Sequence, residues 1–266
     1  MSLLPLPSAD FLSSQHPGQI SQPLAAVKLI ASDVDGTLTR GGKFTAELPA
    51  ALDRLTNKGI AVLLVTGRSA GWVSALRNYF PVAGAIAENG GLFFASADQL
   101  PQVLSPIGDL VAHRQKLAST FTELCQRFPQ LQESVDNAYR ITDWTFDVAG
   151  LSDRNLSDIN QICTEAGWGF TYSTVQCHIK PIAQDKATGI LAIISQHFAH
   201  LTTQQILTIG DSPNDEAMFD RQKFPLSVGV ANLREYSDRL THQPTYITSQ
   251  PEVAGFGELV DLLVSL

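Results

Sequence analysis

Short apolar runs, each stopped by a polar turn, recur along this chain and restrict its fold more than any other feature. Residues 27–31 (VKLIA), 60–65 (IAVLLV), 82–87 (VAGAIA) and 205–210 (QILTIG) are nearly free of charge. Strands apolar on both sides must be covered on both faces, which is the condition of parallel strands between helical layers. Helical spacing separates them. Leu48, Leu52 and Leu55 follow Thr45, an N-cap residue type, and Gly59 suits the left-handed C-terminal position. Ser69 opens a second helix that Pro81 must follow, and Ile190, Leu191, Ile194 and Phe198 mark a third. Further strands are expected at 226–231 and 245–248, and a closing helix at 256–264. Alternation of this kind predicts right-handed crossovers and an α/β fold with a Rossmann-like parallel sheet.

Between 92 and 180 the pattern changes. Trp144, Phe146 and Val148 alternate with Thr145 and Asp147, and Val175, Cys177 and Ile179 alternate with Gln176, His178 and Lys180. Half-covered antiparallel strands read this way, with helices around Leu110–Leu124 and Leu156–Cys163 among them. A chain of 266 residues has room for two domains. The expected division is an arm at 1–24, a core built from 25–91 and 181–266, and an α+β insertion at 92–180. Glu88-Asn89-Gly90-Gly91 is expected to shape the turn into that insertion.

A formal charge of −8, from 18 basic and 26 acidic residues, argues against a nucleic-acid surface. It leaves room for a small phosphorylated substrate, where local cations decide. Cys125, Cys163 and Cys177 show no metal-type spacing and read as reduced packing residues. The first 24 residues lack the basic start and long apolar stretch of a secretory signal, and the longest apolar strand is too short to span a bilayer. A cytoplasmic protein is expected, monomeric or a small homo-oligomer, with no nucleic-acid or membrane partner.

The turns that end the apolar runs carry the chemistry. Asp33 and Asp35 follow the first strand, Thr66, Gly67 and Arg68 the second, and Asp211, Asn214 and Asp215 the fourth. Ligands of open α/β sheets gather beyond the carboxyl ends of strands. Lys186, at the start of the helix after the insertion, is expected at the same rim. Carboxylates without His or Cys suit a hard cation, Mg²⁺ in particular.

The segments DVDGTL (33–38), LLVTGR (63–68), DKATGI (185–190) and GDSPNDEAM (210–218) resemble, in order and spacing, the four motifs of the haloacid dehalogenase-like superfamily. The insertion after IAENGG (86–91) resembles the large α/β cap of its Cof-like subfamily IIB, which includes sugar phosphatases. The resemblance implies an aspartyl-phosphate mechanism with Asp33 as nucleophile and Asp35 as general acid and base. It implies Mg²⁺ held by Asp33, the backbone carbonyl of Asp35, and Asp211, with Asp215 assisting. Thr66 would bind a phosphoryl oxygen and Lys186 would balance charge. Gly36, Gly67, Arg68 and Asn214 are candidates for phosphate contact, and Arg140, Asp147 and His178 for leaving-group recognition from the cap. The expected activity is hydrolysis of a small phosphorylated metabolite, a sugar or glycosyl phosphate such as sucrose phosphate or a glycosylglycerate phosphate. A phosphohexomutase of the phosphomannomutase type and a non-catalytic ligand sensor are the alternatives.

Overall fold

The computed structural model describes residues 10–11, 22–96 and 98–266. Two compact units are present. One holds the chain up to Leu64 with Phe80–Ala83 and Phe198–Leu266; the other holds Val65–Tyr79 and Gly84–His197. The expected arm at 1–24 lies mostly outside the described residues. Of it, Asp10–Phe11 pairs in parallel with Tyr246–Ile247, and Leu24 is buried.

In the first unit, parallel strands lie in the order Asp10–Phe11, Tyr246–Ile247, Leu226–Gly229, Ile206–Gly210, Leu29–Ser32 and Ala61–Val65. The central strands are buried along their whole length, as the unbroken apolar runs require. Helices Glu47–Asn57 and Glu252–Ser265 pack on each other, burying Leu48, Leu52 and Leu55 from one and Phe256, Leu259 and Leu263 from the other. Each such leucine contributes about 1.5–3 kcal/mol by leaving water. Gly59 adopts φ +75 after the first helix, as its position predicted. Thr45 does not cap that helix. Ala46 occupies the cap position, and the Thr45 hydroxyl donates instead to the Glu47 carboxylate at 2.9 Å.

Register places the chemistry. Ser32 pairs with Ile209, and the Asp33 amide donates to the Ile209 carbonyl at 2.9 Å. Asp33 and Gly210 therefore leave neighbouring strands side by side, with Asp211 one residue further on.

The second unit contains antiparallel strands Gly84–Ala87, Leu92–Phe94 and Gln102–Val103. It also contains a three-stranded antiparallel sheet ordered Trp144–Asp147, Gln176–Lys180, Gly169–Tyr172. Helices Leu110–Arg127 and Asp153–Glu165 cover this sheet, and Leu117, Phe121, Leu124, Phe146, Ile159, Cys163 and Cys177 form its core. Asp109 starts the first helix by accepting from the Val111 and Ala112 amides, and Ser152 with Asn155 forms a capping box at the second.

One expectation fails here. Alternation predicts a solvated side for Gln176, His178 and Lys180, yet Gln176–Lys180 is buried on both faces. The polar side is covered because its groups find partners. Gln176 accepts from Arg140, His178 meets Asp143, and Lys180 donates to the Gln184 carbonyl. Among the described residues no helix is long and apolar enough to cross a membrane.

Candidate active site

Asp33, Asp211 and Asp215 come together in the first unit. One carboxylate oxygen from each lies within 4.8 Å of the others, and all three side chains are buried. Carboxylates so close repel unless positive charge sits among them. Asp215 also shapes the local backbone, since its Oδ2 accepts from the amides of Asp211, at 2.9 Å, and Ser212, at 3.0 Å. These bonds form the turn that aims Asp211, and the one from Ser212 belongs to a capping box in which Ser212 is the N-cap of the 3₁₀ helix Pro213–Phe219 and Asp215 its third residue. The Asn214 side-chain oxygen accepts from the Ser212 hydroxyl at 2.7 Å.

Gly36 stands at φ +82, and a Cβ there would lie 2.2 Å from Asp211 Oδ2. Only glycine allows this turn to press its backbone against the carboxylate. Gly210 is constrained in the same way, since a Cβ would meet Asp215 Oδ2 at 2.5 Å. Asn232, which no motif marked, completes the arrangement. Its side-chain amide donates to Asp211 Oδ2 at 2.8 Å and to the Gly36 carbonyl at 3.1 Å, and its oxygen accepts from the Glu252 amide at 3.0 Å. Asp35, two residues beyond Asp33, is half-buried and outside the set of three side chains. The buried, oxygen-only donors and the glycine-built closeness fit a hard divalent cation such as Mg²⁺.

Thr66, Gly67, Arg68, Lys186, Arg140, Asp147 and His178 belong to the second unit. Thr66 is buried, and its hydroxyl accepts from the Arg68 amide at 3.1 Å. The Arg68 guanidinium stacks over Trp72, 4.9 Å from the ring centroid. Lys186 is fully buried at the first residue of helix Lys186–His197. Gly67 packs tightly, because a Cβ would lie 3.1 Å from His178 Cε1. Arg140 is buried and engaged on all sides: it donates to Asp136, Asp143, Gln176 and the Gly67 carbonyl. Asp143 and Asp136 hold its guanidinium charged despite burial. His178 Nδ1 lies 2.8 Å from Asp143 Oδ2, and burial lowers the ring's proton affinity. Asp147 sits at an exposed strand end.

Glu88 does more than shape a turn; it is a buried hub. Its carboxylate accepts from the Ala70, Ile141, Thr142 and Asp143 amides and from the Thr142 hydroxyl. Burial, with Asp143 nearby, pushes this carboxyl up to about 7.

Comparison with known proteins gives a coherent result. Residues 30–106 and 109–257 match the family model described as haloacid dehalogenase-like hydrolase. A phosphoglycolate phosphatase of Methanothrix thermoacetophila is 29% identical over 239 residues, 88% of this chain and 96% of its own length. Phosphoglycolate phosphatase 1 of Saccharolobus solfataricus is 28% identical over 90% of this chain and 96% of its own. In structure, protein 0175 of Thermoplasma acidophilum superposes with a TM-score of 0.71 at 21% identity, covering 90% of this chain and 99% of that one. The C-terminal domain of C. albicans trehalose-6-phosphate phosphatase gives 0.71 at 15% identity, covering 97% and 99%.

Proposed function

Because this chain is a phosphatase of the haloacid dehalogenase-like hydrolase family, we propose that it releases inorganic phosphate from a small phosphorylated metabolite with a divalent cation bound at Asp33, Asp211 and Asp215. The observation that carries this reading is the meeting of those carboxylates at the ends of neighbouring parallel strands. A cation held there would offset negative charge on the phosphoryl group and keep the nucleophile's carboxylate close to it.

In the proposed reaction the Asp33 carboxylate attacks phosphorus and the ester oxygen departs, taking a proton from Asp35. Water then attacks the aspartyl-phosphate while Asp35 takes back a proton. Inorganic phosphate leaves and Asp33 is restored. Asp35 stands two residues beyond Asp33, in the turn that follows strand Leu29–Ser32, and its motif position supports giving the two these paired roles. Phosphoryl contact by Thr66 and charge balance by Lys186 belong to the same proposal, supported by their motif positions and their burial. Relatives named phosphoglycolate phosphatase favour a short phosphorylated hydroxy acid as substrate, ahead of the sugar or glycosyl phosphate expected from the cap type.

The test is a phosphate-release screen over phosphoglycolate, sugar phosphates, glycosylglycerate phosphates and nucleotides, with Mg²⁺ and with EDTA. Phosphate released only with the metal supports the reading. Hexose 6-phosphate formed from the 1-phosphate without free phosphate would replace it with mutase chemistry. Silence across the whole panel would favour a sensor.

A further inference from the structure

The segment 66–70, from Thr66 to the first residue of helix Ala70–Tyr79, is held to the rest of its unit from two directions. Along one side the Asn89 amide donates to the Thr66 carbonyl and the Glu88 amide to the Arg68 carbonyl, each at 3.0 Å. From the other side Arg140 Nη1 donates to the Gly67 carbonyl at 2.9 Å. Glu88 joins the two. One oxygen, Oε1, accepts from the Ala70 amide at 3.1 Å and from the Ile141 amide at 3.0 Å. The other, Oε2, accepts from the Thr142 amide at 2.6 Å and the Thr142 hydroxyl at 2.8 Å.

The turn 140–143 thus reaches the 66–70 segment twice, directly through Arg140 and through the Glu88 carboxylate. Neither connection is loose. Glu88 and Arg140 are buried, and Arg140 is fixed by Asp136 and Asp143. Glu88 and Asn89 stand at φ 53 and 52, in the left-handed region that non-glycine residues enter at a cost. Such backbone persists where surrounding contacts over-determine it, and it concentrates where geometry serves function. A carboxylate that only capped the helix would need the Ala70 amide alone. This one spends most of its acceptor capacity on a turn more than 50 residues away in sequence.

We propose that Glu88 is a positioning residue: it couples the 140–143 turn to the Thr66–Arg68 segment, so that the order of that turn sets where the Thr66 hydroxyl and the Arg68 amide stand. The proposal rests on the phosphatase reading for the role of Thr66 and on hydrogen bonds within one unit for the coupling itself.

Glu88→Gln tests it, because Gln keeps the size and one acceptor oxygen while setting an NH₂ against the amides at 141–143. Assays belong at pH 8, above the value of about 7 to which burial and Asp143 push the carboxyl, with Arg140 the opposing charge at hand. The expected result is a kcat reduced about 10- to 100-fold with KM changed much less, as for sub-ångström misplacement of a reacting group. A well-folded Glu88→Gln enzyme with unchanged kcat would overturn the proposal.

Amide hydrogen exchange gives a readout that needs no substrate. Protection should fall in Glu88→Gln both at 66–70 and at 141–143; loss confined to one segment, or to neither, would overturn the coupling. Thr142→Val, which removes the hydroxyl's donation to Glu88 and its acceptance from the Gln184 side-chain amide while keeping the Thr142 amide bond, should reproduce the exchange change at both segments in milder form if Gln fails to fold; the absence of that change would count against the proposal. If the wild type itself releases no phosphate from any ester, the functional reading falls while the exchange measurement still decides the coupling.

Discussion

Asp33 and Asp215 meet in one carboxylate cluster, and the proposed mechanism gives them different work. Asp33→Asn nearly conserves volume, so the fold should persist while turnover drops on the order of a thousandfold or more. Steady-state phosphate release on protein with unchanged circular dichroism checks this, and retained turnover removes Asp33 as nucleophile. Asp215 accepts from two buried amides. Asp215→Ala removes the acceptor of both bonds, at about 1–3 kcal/mol each, whereas Asp215→Asn keeps one acceptor oxygen for them while exchanging the other oxygen for an NH₂ and losing the charge. The alanine variant should therefore melt earlier than the asparagine variant, and both should need more metal for activity. Glu88 makes a pH prediction. Its carboxyl is pushed up to about 7 from 4.5, chiefly by burial, so between those values the folded chain holds the proton more readily than the unfolded chain. This group's stabilising contribution is full below 4.5 and is lost as pH rises through about 7. The stability of wild type relative to Glu88→Gln should thus shrink from pH 4.5 to 7 in urea titrations; a gap that widens over that range contradicts the assignment.

The turn after strand Leu29–Ser32 is the element on which the site depends. Gly36 at φ +82 lets that turn close on Asp211, and Gly36→Ala would set a methyl 2.2 Å from Asp211 Oδ2 while straining the backbone. The carboxylate must move, so apparent Mg²⁺ affinity should fall by about tenfold or more, the usual scale for disturbing what orients a metal ligand. Isothermal titration on folded protein measures it, and wild-type affinity would show that the turn has slack. Asp33, Gly36 and Asp211 were legible because each ends or follows an apolar run, a pattern visible within a few residues. Asn232 was not. It meets Gly36 across 196 residues and Asp211 across 21. Nothing in its own neighbourhood, a 3₁₀ helix of ordinary polar residues, distinguishes it. The polar side of Gln176–Lys180 escaped sequence reasoning for a related cause: alternation shows that two faces differ, but burial of the polar one depends on partners arriving from 136–143 and from Gln184.

At the scale of the whole molecule, stability and metal occupancy are linked. A cation that binds the folded chain at the carboxylate cluster, and not the unfolded chain, stabilises by about 2.7 kcal/mol at a hundred times its dissociation constant. Mg²⁺ should raise the thermal midpoint in a saturable way, and the rise should vanish in Asp211→Asn; equal shifts in both proteins would mark a general salt effect on a chain of charge −8. The sequence by itself determined the α/β class, the parallel pairing of the apolar runs at 27–31, 60–65 and 205–210, and the acidic strand ends on which the proposed metal-assisted reaction rests. These are local properties: period, run length and the residue that stops a run. Only the tertiary structure decided which carboxylates come within 4.8 Å of each other, that Asn232 steadies one of them, and that Arg140, His178 and Glu88 join a buried hydrogen-bonded network through Asp143 and its neighbours. A hydrogen bond needs partners within about 3 Å in space, and distance along the chain carries no record of that.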